Sequence, residues 1–384
     1  MARKIGAFYE FFCGAGMARA GLGERWKCLF SNDFDRKKAA TYASNWGKNE
    51  IWCGDIRKVT ADDLPDNADL VWASFPCQDL SLAGGGAGLK GERSGTFWPF
   101  WDLMSSLGAE GRAPAMIVLE NVCGTLTSHK GKDFIAICRS LRDGGYNFGA
   151  VVVDAALFVP QSRPRLFIVA TREDVEVPEH LCSAEPLGGF YPRSLKTAYQ
   201  KLPKSLKENW IWWNLESPPE RALSLSDLIE ENPDSVDWHT PEETRNLLAM
   251  MSDINLEKVR EAKREGRRIV GGVYKRTRRD ETGRKVQRAE VRFDDVAGCL
   301  RTPAGGSSRQ LIVVVDGRKV RSRLISSRET ARLMGLEDGY KLPDNYNEAY
   351  HLTGDGVVVP VVRFLAQQIF EPILAFNSKA RAAA

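Results

Sequence analysis

The stretch AFYEFFCGAG, residues 7–16, decides the fold, because a short apolar run ends there in a turn that holds two glycines. The same theme recurs through residue 172: an apolar run ends in a glycine, an acid or another polar residue, and a helical stretch follows. The runs are Ala7 to Phe12, Trp26 to Phe30, Leu70 to Phe75, Met116 to Leu119, Ala150 to Val153 and Leu166 to Ala170. Apolar runs that alternate with helices are typical of a parallel sheet. We therefore predict an α/β fold with a parallel sheet.

Residues suited to binding or catalysis follow these runs or, in the case of Asp55, the third predicted strand. They are Gly14, Asp33, Asp55, Cys77 and Glu120. Ligands of open α/β sheets bind beyond the carboxyl ends of the strands, where all five residues are expected. We therefore expect them to meet at one edge of the sheet.

The composition is that of an ordinary globular enzyme. The chain has 384 residues, of which 43% are hydrophobic and 27% are charged, enough for a large core and a second lobe. No run approaches the ~20 apolar residues of a membrane span, and no signal peptide is evident, so we expect a cytoplasmic protein without membrane contact. The 8 cysteines are widely spaced, which predicts reduced thiols and no metal site.

The pattern changes after Arg172. Proline-rich, polar and tryptophan-bearing stretches follow, including Asn209 to Asn214, and order returns near Leu311 to Val315 and in a helix at Ser327 to Leu336. We expect a smaller, irregular lobe there. The predicted boundaries are 1–172 for the large lobe, 173–349 for the smaller lobe and 350–384 for a return to the large lobe.

A basic segment lies inside the predicted smaller lobe. Residues 257–292 hold 14 Lys and Arg against 6 Asp and Glu. Such a segment is a candidate phosphate-binding region, in which phosphates would be contacted by Lys275, Arg276, Arg278 and Arg279. The alternative is a solvated charged helix followed by a loop.

The first two motifs outline a nucleoside pocket. Glycines in the turn after Phe12, at Gly14 and Gly16, allow close approach of a ligand, although Gly21 comes too late for the dinucleotide fingerprint. Asp33 stands where an acid would meet ribose hydroxyls, Phe34 can stack on a base, and Asp55 can accept from an exocyclic amine. Taken singly, each acid is better explained as a helix cap. Taken in series, they indicate an adenosine site.

The remaining motifs assemble a thiol, a carboxylate and two guanidinium groups. Cys77 follows Phe75-Pro76, Glu120 follows an apolar run, and Arg163 and Arg165 flank Pro164 so that both point to the same side. Together they can attack and polarise a pyrimidine ring. The alternatives are an inert buried cysteine, a structural glutamate paired with an arginine, and an ion-pair network of the two arginines.

These motifs resemble, in the same order, those of the DNA cytosine-5 methyltransferases of bacterial or phage type. The matching stretches are Phe12 to Gly16, Asn32 to Asp35, Gly54 to Ile56, Phe75 to Gln78, Glu120 to Val122, Gln161 to Arg165, Arg328 to Gly335 and Gly354 to Val357. The resemblance implies a Rossmann-like lobe that binds S-adenosylmethionine and a smaller target-recognition lobe. One departure stands out, because the family has Gly-Asn where this chain has Gly354-Asp355.

The resemblance also implies roles for individual residues. Cys77 would add to C6 of a flipped cytosine, Glu120 would assist at N3, Arg165 would hold O2 and Arg163 would orient the site. Cofactor contacts would come from Phe12, Gly14 and Gly16 at the methionine end, Asp33 at the ribose, Phe34, Asp55 and Ile56 at the adenine, and Pro76 between cofactor and cytosine.

The expected partner is double-stranded DNA, read by a monomer through a loop at residues 298–310. The sequence leaves open whether the protein acts alone or alongside a restriction endonuclease without stable association. Other hypotheses are an RNA cytosine-5 methyltransferase of the same fold, a non-catalytic nucleic-acid-binding relative and, last, a nicotinamide oxidoreductase, which should show tighter glycine spacing.

Overall fold

The computed structural model describes residues 5–76, 89, 94–279, 282–301 and 309–383. The chain forms two compact units. The first unit comprises Met1–Asp154, Pro164–Pro219 and Val361–Ala384, and the second unit comprises Ala155–Arg163 and Glu220–Pro360. Apart from residues 155–163, the chain stays in the first unit up to residue 219, whereas the predicted boundary was at residue 173. It returns to the first unit at Val361, whereas the predicted return was at residue 350.

The first unit is built on a seven-stranded sheet. Its strands are β1 (Gly6–Phe11), β2 (Trp26–Asp33), β3 (Ile51–Cys53), β4 (Leu70–Ala73), β5 (Met116–Val122), β6 (Tyr146–Asp154) and β7 (Pro164–Arg172). The strand order is β3-β2-β1-β4-β5-β7-β6. This arrangement confirms the predicted α/β fold.

The run pattern predicted a parallel sheet, but one strand of the sheet runs antiparallel. Strand β7 is antiparallel to both β5 and β6, whereas β1 to β5 are parallel. Residues 155–163 alone join β6 to β7, which is too short a connection for the crossover that parallel neighbours need. The chain therefore turns back, and Arg165 arrives at the end of the sheet where β5 ends.

Helices cover the sheet and build much of the second unit. They are α1 (Met17–Leu22), α2 (Arg36–Trp46), α3 (Phe97–Ala109), α4 (Lys132–Asp143), α5 (Arg193–Gln200), α6 (Lys204–Lys207), α7 (Leu225–Leu228), α8 (Pro241–Ala249), α9 (Asp253–Arg264), α10 (Ser327–Leu333), α11 (Tyr346–Asp355), α12 (Val359–Leu365) and α13 (Glu371–Ala383). Strands β1, β4 and β5 are almost wholly buried, as strands covered on both faces should be.

The tryptophan-bearing stretch packs on the first unit, which explains the late boundary. The Trp210 ring lies against Phe148 of β6 and Tyr199 of α5, with ring centroids 5.9 Å and 5.2 Å away. A Cβ on Gly149 would come within 2.0 Å of the Ile211 carbonyl oxygen. The short pair β8 (Cys182–Ser183) and β9 (Trp212–Trp213) completes this layer. These aromatic side chains find their apolar surface on β6, so the segment does not join the second unit.

The second unit contains a regular sheet where an irregular lobe was expected. Strands β10 (Arg268–Arg279), β11 (Lys285–Arg292), β12 (Leu311–Asp316) and β13 (Lys319–Leu324) pair antiparallel in the order β11-β10-β12-β13. One face packs on α8 and α9 through a cluster that includes Leu247, Val259, Val273, Ala289 and Val313. The basic segment is therefore helix α9 followed by a long hairpin. The helix agrees with the alternative of a charged helix followed by a loop, but paired strands stand where that alternative had a loop.

Among the described residues, one helical stretch, Tyr346–Lys379, is long enough and apolar enough to cross a membrane. Of its most apolar window, 61% is buried inside the protein, as in a helix that packs in a core.

Candidate cofactor and catalytic site

A strained turn joins β1 to α1. Phe12, Gly14 and Gly16 have φ angles of 56°, 56° and 83°, in the left-handed region that costs a phenylalanine energy. A Cβ on Gly16 would lie 2.5 Å from the Trp46 Nε1 atom, so this glycine is needed for packing. A Cβ on Gly14 would meet no described atom within 4 Å. The turn is therefore open at Gly14, where a ligand can approach the backbone.

Asp33 ties the end of β2 to this turn. Its Oδ2 accepts from the Gly14 N–H at 2.7 Å and its Oδ1 from the Asp35 N–H at 2.8 Å. Burial raises the pKa of Asp33, against the opposing effect of Lys38. Each carboxylate oxygen keeps a second lone pair for a hydroxyl donor. The next side chain, Phe34, is 75% exposed, so its ring is free to stack.

The third segment follows β3. Asp55 accepts hydrogen bonds from the backbone N–H of Arg57 at 3.0 Å and from the Arg57 guanidinium at 3.1 Å. The side chain of the next residue, Ile56, is buried. Asn32 donates to the carbonyls of Trp52 and Gly54 at 3.2 Å and 3.0 Å, which joins the ends of β2 and β3. Adjacent strands thus bring the three predicted cofactor segments together. Asn32 was quoted in its motif but given no role by the sequence reasoning.

Glu10 was missed by the sequence reasoning altogether. It lies on β1 and is fully buried, with the backbone N–H groups of Ala18 and Arg19 as hydrogen-bond partners. Its Oε2 has no partner among the described residues. Burial raises the pKa of Glu10 to about 8. The side chain is therefore a neutral acid at pH 7 that links β1 to α1 around the open turn.

This buried acid predicts a pH-dependent stability. The usual pKa of 4.5 lies below the folded value of about 8, so between these limits the unfolded chain loses a proton that the folded chain keeps. The free energy of unfolding should then fall as pH rises, by up to about 1.4 kcal/mol per pH unit. Glu10→Gln should lack this component. We expect its stability relative to the parent to increase from about pH 5 to about pH 8, measured by urea unfolding.

Glu24→Gln, at an exposed position in the same unit, is the matched control and should track the parent. Parallel stability curves for the parent and Glu10→Gln would show that Glu10 is ionised in the fold.

Glu120 and Arg165 face each other across β5 and β7. The Arg165 Nε and Glu120 Oε1 atoms are 3.4 Å apart, and the side chains are only 16% and 10% exposed. A carboxyl and a guanidinium in a nearly closed site can bind a planar group that offers both a donor and an acceptor. The neighbouring Asn121 donates to the Phe75 carbonyl at 3.1 Å. The sequence reasoning gave Asn121 no role, yet it fixes the segment that leads through Pro76 to residue 77.

Cys77 itself and the glycine stretch Gly84 to Gly88 lie outside the described residues. Among the described cysteines, burial raises the pKa of Cys13, Cys28, Cys123, Cys138 and Cys182. Cys123 is the one of these whose pKa Arg165 lowers in part, although burial outweighs that effect. These five thiols are therefore poor sources of thiolate at neutral pH.

Arg163 has partners different from those of Arg165. It is 2% exposed and donates to the carbonyls of Leu300, Gly354 and Gly356 at 2.9, 2.8 and 2.8 Å. A further contact joins its Nη1 atom to the Cys299 sulfur at 3.3 Å. The contacts at Gly354 and Gly356 bracket Asp355, which is exposed. The two arginines, expected to point to the same side of the chain, thus have different described partners: Glu120 for Arg165 and these carbonyls for Arg163. Buried in this way, Arg163 holds loops in place.

The chain resembles known proteins over almost its whole length. The profile of the family described as C-5 cytosine-specific DNA methylase matches residues 6–371. The Type II methyltransferase M.BsuFI of Bacillus subtilis is 27% identical over 96% of this chain and 73% of its own length. M.NlaX of Neisseria lactamica, also a Type II methyltransferase, is 26% identical over 96% of this chain and 98% of its own.

A solved structure supports the same fold. The Entamoeba histolytica methyltransferase EhMeth has a TM-score of 0.62 and 13% identity, covering 98% of this chain and 99% of its own.

Proposed function

This chain belongs to the family of C-5 cytosine-specific DNA methylases, the DNA (cytosine-5-)-methyltransferases, and we propose that it methylates C5 of a flipped-out cytosine in a specific DNA sequence through a covalent Cys77 adduct. One observation carries the proposal: Glu120 and Arg165 form a nearly closed pair beside the segment that leads to Cys77. A cytosine ring offers N3 and O2 on one edge, which suits a carboxyl and a guanidinium.

The first three segments fit S-adenosylmethionine. The open turn at Gly14 leaves room for a methionine tail beside the backbone of Phe12 and Gly16. Asp33 has lone pairs left for ribose hydroxyls, and the exposed Phe34 ring can stack on adenine, with Asp55 and Ile56 at its edge. Pro76 stands between this pocket and the cytosine site. When bound, S-adenosylmethionine supplies an electrophilic methyl group on a sulfonium.

Cys77 begins the reaction as a thiolate. Its sulfur forms a bond to C6 of the cytosine, and the electron pair of the C5–C6 double bond makes C5 nucleophilic while Glu120 donates a proton to N3. C5 would then take the methyl group as the bond between that methyl and the sulfonium sulfur breaks, and the sulfur would leave with the electron pair as a neutral thioether. Loss of the C5 proton to a base restores the double bond and expels the Cys77 thiolate, and N3 returns its proton to Glu120. The cytosine leaves with one methyl group in place of one hydrogen.

The arginines have different tasks in this scheme. Arg165 donates to the cytosine O2 and keeps Glu120 oriented through the contact between its Nε atom and the Glu120 Oε1 atom. Arg163 is a positioning residue, because its described contacts hold the backbone at Leu300, Gly354 and Gly356.

The setting of the reaction follows from the family. We propose that the protein acts as a monomer on double-stranded DNA in the cytoplasm of a bacterial or phage-infected cell, alongside a restriction endonuclease but without stable association. The scheme needs no metal, and the described part of the chain holds no cluster of three or more His, Cys, Asp or Glu that could bind one.

Expression in a methylation-free host tests the proposal. Mapping 5-methylcytosine across that host's genome should reveal one short sequence that is methylated at almost every copy, and the Cys77→Ser variant should leave the same genome unmodified. Methylation of RNA alone, or a genome without 5-methylcytosine, would overturn the proposal.

A further inference from the structure

The basic hairpin of β10 and β11 has two different faces. Side chains alternate across a strand, and the register pairs Tyr274 with Glu290, Arg276 with Arg288 and Arg278 with Val286. One face, here the arginine face, therefore carries Arg276, Arg278, Arg288 and Arg292 together with Tyr274 and Glu290. The other face, the lysine face, carries Lys275, Arg279 and Lys285 together with Thr277 and Gln287. The four cations singled out from the sequence are thus split between opposite faces.

Different parts of the second unit cover the bases of these faces. The base of the lysine face is Val273, Ala289 and Val291, which pack into the apolar cluster with α8 and α9. The base of the arginine face lies against Gly298 and Gln310, the first and last residues of the stretch expected to read DNA. A Cβ on Gly298 would come within 1.0 Å of the Tyr274 hydroxyl, and one on Gly272 within 3.1 Å of the Gln310 amide nitrogen. The arginine face therefore continues into both flanks of residues 302–308.

Charge is concentrated unfavourably on the arginine face. Arg276 and Arg288 stand directly opposite each other, an arrangement of like charges that destabilises a bare hairpin. Glu290 engages Arg276 at 3.3 Å and Arg278 at 2.5 Å, so one carboxylate offsets part of the charge of these two guanidinium groups. Arg288 is exposed and has no such acid in the described part of the chain. A bound anion would relieve the repulsion.

The chemistry of the cations also differs. The arginine face presents guanidinium groups, which donate in a planar fork that matches phosphate oxygens, whereas the lysine face is mainly ammonium. About half-exposed side chains at Arg276 and Arg278 can reach a ligand without refolding.

We propose that the arginine face of the hairpin is the surface that contacts DNA phosphates and that the lysine face points away from DNA. The inference rests on the proposed function, since it assumes that the chain binds DNA. It goes further by assigning the phosphate contacts to Arg276, Arg278 and Arg288. Lys275 and Arg279, which the sequence also suggested as phosphate contacts, are not among them.

Two variants with equal charge test this assignment. The pair Arg276→Gln and Arg288→Gln removes two positive charges from the arginine face, and the pair Lys275→Gln and Lys285→Gln removes two from the lysine face. The full-length proteins are titrated against a fluorescent mixed-sequence duplex over a range of salt concentrations. For the arginine pair we expect the slope of log K against log salt to shrink by about two and the affinity to fall about tenfold or more. The lysine pair should stay within about twofold of the parent.

Glu290→Gln supplies a test of opposite sign. It removes a negative charge that would face phosphates and frees two guanidinium groups, so it should bind the same duplex more tightly than the parent and with a steeper salt slope. Unchanged or weaker binding would place Glu290 away from DNA and overturn the assignment.

A wrong face assignment and an absence of DNA binding would give different results in these titrations. Equal losses in the arginine and lysine pairs, with melting temperatures near that of the parent, would overturn the face assignment while leaving DNA binding intact. A parent protein that shows no salt-dependent affinity for duplex DNA would instead overturn the proposed function.

Discussion

Cys77→Ser should abolish methyl transfer, with a loss on the order of 10⁴ or more in turnover, while the fold and the binding of S-adenosylmethionine persist. A serine hydroxyl is hardly ionised at neutral pH and cannot replace a thiolate in attack on C6. The described contacts that shape the cofactor segments at Gly14, Asp33 and Asp55 lie within those segments, so cofactor affinity should stay near the parent value.

Trapping on a modified substrate gives the direct test. Duplex DNA with 5-fluorocytosine at the mapped target has no C5 proton to lose, so the adduct cannot break down. The parent should form a stable covalent complex with this duplex and the Cys77→Ser variant should form none. Cys123→Ser is the matched control, because Cys123 is the described cysteine whose pKa Arg165 influences. A complex that disappears with Cys123→Ser, or that maps to another cysteine, would refute the role of Cys77.

Glu120→Gln should lower turnover by on the order of 10² or more with a much smaller effect on DNA affinity, because the amide keeps the shape but cannot deliver a carboxyl proton to N3. Single-turnover methylation and equilibrium DNA binding measure the two effects separately.

A structural role for the Glu120–Arg165 pair makes a different prediction. In that case Glu120→Gln and Arg165→Gln would lower the melting temperature alike, and activity would fall only as far as folding does. Parent-like turnover in Glu120→Gln would demote the residue to that role.

The sequence predicted those parts of the structure that depend on local pattern. The glycine turn after β1 and the acids after β2 and β3 follow directly from short apolar runs, and adjacent parallel strands bring them together. The direction of β7 depends on the length of one connection. The sheet of the second unit was hidden because cations occupy both faces of the hairpin end, which masks the usual alternation of apolar and polar residues.

The buried polar residues were harder to predict, because their partners are distant in sequence or lie on the backbone. Asn121 donates to a carbonyl 46 residues away, and Asn32 supports two carbonyls near β3. Glu10 reads from the sequence as a break in an apolar strand, and only the fold shows the backbone N–H groups that it accepts from. The placement of residues 173–219 likewise depends on the apolar surface of β6, which no local pattern reports.

The contacts of Arg163 have an evolutionary consequence. Arg163 holds Leu300, Gly354 and Gly356 by their carbonyl oxygens, so these contacts do not depend on the side chains of those three residues. Substitutions beside those carbonyls can accumulate without loosening the loops, and Asp355, which stands where the resembled motif has asparagine, is one such position. Among relatives, the arginine should therefore vary less than the residues it supports, and a family in which position 355 were the more constant of the two would contradict this view. A support of this kind keeps the loops in place while the side chains beside those carbonyls vary.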